Sequence, residues 1–261
     1  MRPARIASLV LLVAALCLPA CKDKKPLFEE VPPADELYSM GEKELEGKKI
    51  LPFYTRIDYA RAIEIFQAII DNYPYSEYAL KAELKIADAY YEDGKYDEAL
   101  SYYRDFGDLH PQHPMVPYTI YQSGMCHYER IENVQRDQTA TRNALGFFDR
   151  LLVQYPHSSY AHEAEPMWRE LQIRLAEHQE RIADFYRGRG EYEAAAERYR
   201  LLLDANPGLG LDARILLKLG ESYAALDRVD EADRIFRTLV SHYASSPEAY
   251  EARKLLATNV P

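Results

Sequence analysis

The sequence predicts an all-α fold, a superhelical solenoid of five helix–turn–helix repeats. Helix-forming residues such as Ala, Glu, Leu and Arg dominate the 261-residue chain, and runs of β-branched residues typical of strands are absent. An alanine followed four positions later by Phe or Tyr marks five candidate second helices. These pairs are Ala62 and Phe66, Ala99 and Tyr103, Ala144 and Phe148, Ala195 and Tyr199, and Ala232 and Phe236. This recurrence indicates that one structural unit is repeated along the chain.

Prolines mark where the second helix of each repeat ends. In four repeats a proline follows the alanine by twelve residues. These prolines are Pro74, Pro111, Pro156 and Pro207, and in the last repeat Pro247 comes somewhat later. Proline lacks the amide hydrogen that a helix needs, so each second helix is expected to stop just before it. The alanines of repeats 1 and 2, and those of repeats 4 and 5, are 37 residues apart.

The first helix of a repeat has its own signature, a small residue followed three positions later by tyrosine. Ala87 and Tyr90, Ala183 and Tyr186, and Gly220 and Tyr223 show it, each small residue twelve positions before the alanine of the second helix. The combined pattern is that of the tetratricopeptide repeat, which is nominally about 34 residues long. Small residues let paired helices approach closely, and stacked repeats form a concave groove lined mainly by first helices.

The N-terminus predicts a lipoprotein signal peptide over residues 1–20. Arg2 and Arg5 precede an apolar run of about 13 residues, too short to span a bilayer, for which about 20 are needed. Cys21 follows directly after Ala20, as in the bacterial lipobox, so we expect Cys21 to be acylated. The alternative is an ordinary secretory signal that leaves a free thiol. Because Lys22 rather than an aspartate follows the cysteine, the expected location is the periplasmic face of the outer membrane.

The remaining chain is expected to have three parts. Residues 21–34, which are charged and contain prolines, predict a flexible lipidated tether. Residues 35–160 form N-terminal repeats 1–3, with a long turn at residues 50–57 and a polar insertion in repeat 3 at residues 129–138. Residues 161–261 form a linking helix, over 162–183 with Trp168 and Leu171 on its packed face, and C-terminal repeats 4 and 5.

Charge and cysteine content exclude several kinds of protein. The net charge is −10, and removal of Arg2 and Arg5 with the signal makes it −12. Such a chain is a poor nucleic-acid binder and is repelled by anionic lipid, so the anchor must hold it to the membrane. Cys126 has no partner for a disulfide and is expected to be a buried apolar residue.

No catalytic motif is found in the sequence, which predicts a binding protein without cofactors. His110 and His113 are expected to be loop residues, because no cysteine or carboxylate cluster completes a metal site. In repeat 2 the concave face should carry Lys81, Leu84, Asp88 and Tyr91. Tyr73, Tyr78 and Tyr91 are therefore candidate substrate-binding residues, with core packing as the alternative. Five further tyrosines are expected in the core: Tyr90, Tyr103, Tyr186, Tyr199 and Tyr223.

Several short motifs are distinctive: Tyr73-Pro74-Tyr75-Ser76, Ala89-Tyr90-Tyr91, His113-Pro114, Arg136-Asp137 in the repeat-3 insertion, and Tyr155-Pro156. Together, over residues 22–245, they resemble the BamD family of tetratricopeptide lipoproteins from the outer-membrane β-barrel assembly machinery. The insertion is the most specific of these, because ordinary tetratricopeptide proteins lack it. The long turn at residues 50–57 departs from the family pattern.

The resemblance implies a non-enzymatic scaffold. Its partners would be a BamA-like barrel insertase, other lipoproteins of the machinery and unfolded outer-membrane proteins. By position, Tyr73 falls where the family contacts substrate, and Arg189 falls where an arginine faces the insertase. A second hypothesis is a periplasmic tetratricopeptide lipoprotein that regulates peptidoglycan enzymes or the Tol–Pal system.

Overall fold

A computed structural model describes residues 27–28, 30–51 and 54–258 of the chain, and this part contains eleven helices and one two-stranded ribbon. The elements are α1 Ala34–Glu46, β1 Lys48–Leu51, β2 Tyr54–Arg56, α2 Tyr59–Asn72, α3 Glu77–Glu92, α4 Tyr96–Leu109, α5 Val116–Tyr128, α6 Thr139–Gln154, α7 Ser159–Gly188, α8 Tyr192–Ala205, α9 Asp212–Ala225, α10 Val229–His242 and α11 Pro247–Thr258. None of the helices in these ranges is long and apolar enough to cross a membrane.

Helices α1 to α10 form five consecutive antiparallel pairs, and each helix packs against the next. Helix α11 packs on α10 and α9 after the last repeat. The predicted all-α solenoid of five tetratricopeptide repeats is therefore confirmed. The second helices α2, α4, α6 and α8 each end two residues before a proline, as expected.

Close packing within each pair explains the small residue of the first helix. In repeats 1, 3 and 5 that residue is Gly41, Gly124 and Gly220, respectively. A Cβ atom added to any of these glycines would lie closer than 3.0 Å to a phenylalanine ring of the second helix. In repeats 2 and 4 the small residue is Ala87 or Ala183, buried in the same clusters as the second-helix tyrosines. Tyr103 and Tyr199 are fully buried, whereas Tyr90, Tyr186 and Tyr223 are partly buried against the core.

The long turn at residues 50–57 contains a short β-hairpin that the sequence pattern did not predict. Strands β1 and β2 pair antiparallel, with Lys48 opposite Arg56 and Lys49 opposite Thr55. Gly47 makes the preceding turn with a φ of 73°, in the left-handed region that favours glycine. The ribbon joins α1 to α2 and leaves the helix pair of repeat 1 intact.

The repeat-3 insertion is folded against helix α7. Arg174 donates a hydrogen bond to the carbonyl of Glu132, and Nδ1 of His178 lies 2.7 Å from the carbonyl of Val134. Within the insertion, buried Gln138 donates to the carbonyls of Asn133 and Arg136 at 3.2 and 3.0 Å. The insertion therefore has a defined position on the helix that follows repeat 3.

Helix α7 is a single 30-residue helix that includes the predicted linking helix and continues to the end of the first helix of repeat 4. Leu171 is fully buried, and the indole of Trp168 donates to the carboxylate of Asp149, so both lie on the packed side as expected. The expected division at residue 160 falls in the first turn of this helix. Cys126 is buried as expected and has a free thiol.

The N-terminal segment contacts repeat 1 before α1 begins. Leu27 and Phe28 pack against the core of this repeat, and the guanidinium carbon of Arg61 lies 6.0 Å from the centroid of the Phe28 ring. The hydroxyl of Tyr73 donates to the carbonyl of Pro32 at 3.0 Å. Composition predicted only a flexible tether over residues 21–34 and gave no indication of these contacts. Cys21 and the signal peptide lie outside the described residues.

Candidate functional site

The first helices of repeats 1 to 3 form a groove of about 560 Å³, which we call the N-terminal groove. Apolar and aromatic side chains contribute most of its wall, and two lysines lie among them. Its principal residues are Tyr38 of α1, Leu80, Lys81, Leu84, Lys85 and Asp88 of α3, and Met115 and Tyr118 at the start of α5. Lys81, Leu84 and Asp88 thus lie in the groove where the repeat pattern places them.

Asp88 forms the polar floor of the N-terminal groove. Its carboxylate accepts hydrogen bonds from the hydroxyls of Tyr103 at 2.7 Å and Tyr118 at 2.6 Å. Burial raises the pKa of Asp88, and this effect exceeds the lowering by the two tyrosines and Lys85. Burial and the nearby Asp88 carboxylate also raise the pKa of both tyrosines. The groove therefore has an ordered floor below apolar walls.

The three candidate tyrosines occupy different places around this groove. Tyr78 stands at its rim, with its ring centroid 5.5 Å from that of Tyr38 and 4.9 Å from Nζ of Lys81. Tyr73 packs with Tyr78 against the core of repeat 1, but its hydroxyl is already bonded to Pro32. Tyr91 is partly buried beside Tyr96, with its hydroxyl 3.5 Å from the carboxylate of Glu129.

Ion pairs line the corresponding groove between α7 and α9, where Asp184, Arg187 and Glu221 border a cavity of about 510 Å³. Buried Glu180 contacts Arg214 at 2.5 Å and Lys218 at 2.7 Å, and Lys218 also contacts Asp184 at 2.7 Å. Arg187 pairs with Glu221 at 2.5 Å. Burial raises the pKa of Asp184, but hydrogen bonds from Lys218 and Tyr199 outweigh it, and the net shift is downward.

Sequence reasoning missed this ladder of ion pairs, although a signal for it exists. Three pairs, Glu180 with Arg214, Asp184 with Lys218, and Arg187 with Glu221, are each separated by 34 residues. Equivalent positions of repeats 4 and 5, such as Ala183 and Gly220, are 37 residues apart, so each pair joins a residue to one that lies three residues before its equivalent in the next repeat. Opposite charges with this separation on the two first helices therefore predict contacts across the groove.

A second exposed surface surrounds Phe185, and we call it the Phe185 surface. It contains a cavity of about 420 Å³ lined by Val134 of the repeat-3 insertion and by Arg181, Ile182, Phe185 and Tyr186 of α7. The Phe185 side chain is 59% exposed. The insertion and α7, which are distant in sequence, thus build one apolar surface together.

Arg189 borders the Phe185 surface, just after helix α7 ends. Its guanidinium carbon lies 5.5 Å from the centroid of the Phe185 ring, and its Nε is 3.0 Å from the carboxylate of Glu191. The side chain is largely exposed. The predicted partner-binding arginine therefore lies beside an exposed aromatic ring that sequence reasoning did not single out.

The loop histidines have packing roles in the structure. The rings of His110 and His113 lie 5.0 and 5.1 Å from the ring of Phe106, and Nδ1 of His113 accepts a hydrogen bond from the amide of Met115. Among the described residues there is no group of three or more His, Cys, Asp or Glu that could hold a metal ion.

Both surfaces lie within the part of the chain that matches a known family. A family profile described as "YfiO: Outer membrane lipoprotein" matches residues 32–239. The chain belongs to this family. A relative from Caulobacter vibrioides, "Outer membrane protein assembly factor BamD", is 29% identical over 259 residues, covering 99% of this chain and 82% of the relative.

Further relatives of the same name show the same extent of similarity. The protein from Neisseria gonorrhoeae is 27% identical over 250 residues, covering 92% of this chain and 90% of the relative. The protein from Vibrio cholerae is 28% identical over 233 residues, covering 85% and 92%. The family match at residues 32–239 extends from repeat 1 into the second helix of repeat 5.

Proposed function

We propose that this protein is a scaffold in the assembly of outer-membrane proteins, without a catalytic role of its own. In this function the N-terminal groove binds a segment of an unfolded outer-membrane protein and the Phe185 surface binds a BamA-type insertase. The observation that carries the proposal is that these open surfaces lie on different repeats of one array, so both can be occupied together. The assembly-factor name of the relatives supports this function and lends no support to regulation of peptidoglycan enzymes or the Tol–Pal system.

The N-terminal groove has the chemistry needed for an extended apolar peptide. Leu80, Leu84 and Met115 offer apolar contact, and the aromatic rings of Tyr38 and Tyr78 add area with little loss of side-chain entropy. Lys81 and Lys85 can bind carbonyl or carboxylate oxygens of the peptide. The equivalent C-terminal groove is lined by ion pairs and is mainly polar, which favours the N-terminal groove as the site for an apolar segment.

The candidate tyrosines contribute to this site in different ways. Tyr78 is at the rim and would contact the substrate directly. Tyr73 would act by holding the N-terminal segment through Pro32 and by supporting Tyr78 in the repeat-1 core. Tyr91 would hold α3 to the end of α5 through Glu129.

The Phe185 surface fits a partner that presents an apolar side chain next to a carboxylate. Exposed aromatic and arginine residues around an apolar cavity are the residue types that dominate binding energy at protein interfaces. Phe185 would supply the apolar contact and Arg189 the charge-assisted hydrogen bonds to the insertase. Acylation of Cys21 would keep the protein at the outer membrane, close to the insertase and to other lipoproteins of the machinery.

In-cell photocrosslinking tests both assignments in the full-length lipoprotein. A photoreactive amino acid replaces Tyr78 in one variant and Arg189 in a second. A third variant carries it at Glu197, an exposed position on α8, as the matched control. We expect unfolded outer-membrane proteins to crosslink at position 78, the insertase at position 189 and neither at position 197.

Co-purification provides the second measurement. We expect the Arg189→Glu variant to retain about a tenth or less of the insertase after gentle detergent extraction, because charge reversal beside Phe185 opposes an acidic partner. Recovery of the unaltered protein with a murein synthase or hydrolase, and without any insertase, would show that the proposed function is wrong.

A further inference from the structure

The Phe185 surface is built from two segments of the chain that are distant in sequence. The repeat-3 insertion contributes Val134 and Gln135 to the wall of its cavity, and helix α7 contributes the rest, including His178 and Phe185. Val134 is half-buried and Gln135 is exposed. The shape of this surface therefore depends on where the insertion lies relative to α7.

The insertion presents these two residues at the tip of a turn. The amide of Arg136 donates to the carbonyl of Asn133 at 2.8 Å, and the two residues between them are Val134 and Gln135. The side chain of Asn133 also accepts a hydrogen bond from the amide of Gln135 at 3.1 Å. The turn is thus ordered within itself, and its place beside α7 depends on contacts with that helix.

Two side chains of α7 hold the turn by its backbone. Nδ1 of His178 lies 2.7 Å from the carbonyl oxygen of Val134, and because a carbonyl oxygen only accepts, Nδ1 donates. Arg174 donates to the carbonyl of Glu132. In the described part of the chain, no other hydrogen bond joins residues 129–138 to α7.

Helical geometry places this attachment beside the exposed aromatic ring. Residues three or four positions apart lie on the same face of a helix. Spacings of four, four and three join the residues of one such line on α7: Arg174, His178, Ile182 and Phe185. The turn is therefore attached to the same face of α7 that carries the cavity and Phe185.

We propose that the repeat-3 insertion is one wall of the insertase-binding surface, and that His178 and Arg174 are the positioning residues that fix this wall. The inference rests on the proposed function and adds the structural element that completes the site. Both positioning residues act through backbone carbonyls, so they set the path of the turn and leave its side chains free for the partner.

The two segments together define what the insertase must present. An apolar side chain of the insertase fills the cavity between Val134 and Phe185. The amide of Gln135 bonds polar groups of the insertase at the edge of this contact. Because the turn is already held in place, less ordering is needed when the partner binds, and affinity is higher.

Amide hydrogen exchange of the full-length lipoprotein in detergent, without insertase, measures the attachment. His178→Ala removes the donor and should speed exchange over residues 132–137 about threefold to tenfold, the factor expected for one lost hydrogen bond. His178→Asn should restore slow exchange, because its amide nitrogen is bonded to Cγ, as Nδ1 is. His162→Ala, at an exposed position of α7, is the matched control and should leave this exchange unchanged.

Affinity of the same proteins for the purified insertase in detergent tests the role of the wall. His178→Ala should raise the Kd about threefold to tenfold, and His178→Asn should restore it. Val134→Ser should also raise the Kd but leave exchange slow, because it removes an apolar contact and keeps the carbonyl bonded to His178. Val153→Ser on α6, where the side chain is 79% exposed, is its control and should change neither value.

The outcomes separate this inference from the proposed function. The inference alone is wrong if Arg189→Glu weakens insertase binding and His178→Ala does not, or if His178→Ala leaves the exchange of the turn unchanged. Lost affinity that His178→Asn fails to restore would also contradict a positioning role. If the unaltered protein binds no insertase, the proposed function and the inference are both wrong. Should circular dichroism show lost helix in His178→Ala, His178→Asn and Val134→Ser decide the question.

Discussion

Asp88 and Asp184 occupy the same position in repeats 2 and 4, directly after the small residue of the first helix. Each accepts a hydrogen bond from the tyrosine fifteen residues later, Tyr103 or Tyr199. Their surroundings differ, because Asp184 also contacts Lys218 whereas Asp88 is more deeply buried and has no basic residue within ion-pair distance in the described part of the chain. One local motif therefore produces opposite pKa shifts, upward for Asp88 and downward for Asp184.

This difference predicts opposite pH dependences of stability. A raised pKa in the folded state means that the folded protein binds the proton more tightly, so acidification favours folding; a lowered pKa has the reverse effect. Relative to Asp88→Asn, the unaltered protein should therefore gain stability as the pH falls from 7 through the raised pKa of Asp88. Relative to Asp184→Asn, it should lose stability as the pH falls through the depressed pKa of Asp184.

Urea unfolding of the three proteins at several pH values from 7 down to about 3 measures these differences, because the depressed pKa of Asp184 lies below that of a free aspartate. The two substitutions act as controls for each other, since both replace a tyrosine-bonded aspartate with its neutral isostere. Slopes of the same sign for both variants would contradict the assigned pKa directions.

Burial of individual side chains was largely predictable from the repeat pattern. Cys126, Tyr103 and Tyr199 are buried because their positions within the repeat face the neighbouring helix. The contact of Tyr73 with Pro32 was not predictable, because it depends on where the N-terminal segment returns to the repeats. Local periodicity contains no information about such a path.

At the scale of elements, helix pairs pack in two alternating ways. Repeats 1, 3 and 5 set a glycine against a phenylalanine ring, and repeats 2 and 4 set an alanine against a tyrosine whose hydroxyl is bonded to aspartate. The phenylalanine ring lies where a Cβ atom would be, so glycine is required for close approach rather than for backbone freedom.

Two glycines of repeat 3 allow a matched test of this packing. Gly124→Ala should destabilise the protein by about 1–3 kcal/mol, because the new methyl group overlaps the ring of Phe148. Gly146→Ala on α6 meets no atom within 4 Å and should stabilise the protein by about 0.5–1 kcal/mol through helix propensity. Urea unfolding monitored by circular dichroism gives both values. Equal effects of the two substitutions would mean that the contact between the added methyl group and Phe148 does not lower the free energy of unfolding.

Most helices were predictable because proline and small-residue signals recur with the repeat, whereas the β-hairpin between α1 and α2 was not. Its strands have only four and three residues, and a proline at position 52 separates them, so the segment has neither the length nor the alternation that indicates a strand. The placement of the repeat-3 insertion on α7 could not be predicted from the sequence either, since its contacts with Arg174 and His178 join residues more than forty positions apart.

At the scale of the whole molecule, the two ends of the array have different grooves. The N-terminal groove is mostly apolar, whereas ion pairs line the C-terminal groove between α7 and α9 and make it polar. The C-terminal half instead exposes its apolar surface at Phe185, on the side built with the repeat-3 insertion. Substrate and insertase contacts are thus proposed for different halves of the protein.

The lipid anchor proposed at Cys21 adds proximity to these contacts. Cys21→Ser should lower the amount of insertase recovered with the protein by about tenfold or more, because anchoring raises the effective concentration of two membrane-bound partners. Helix content should not change, since the described core begins after this residue. Co-purification measures the recovery of insertase, and circular dichroism of the same preparation measures the helix content. A loss of helix signal in this variant would contradict the expectation that the lipid anchor serves localisation and does not stabilise the repeats.

Helix α7 fixes how far the C-terminal half of the protein is rotated about the helix axis relative to the N-terminal half. An α-helix turns by about 100° and rises by about 1.5 Å for each residue, so a 30-residue helix is about 45 Å long. One residue inserted near its middle would swing Phe185 and Arg189 through more than a quarter turn relative to the N-terminal groove, whereas seven residues would nearly restore their direction about 10 Å further away. The number of residues in α7 therefore determines both the relative orientation of the N-terminal groove and the Phe185 surface and the distance between them.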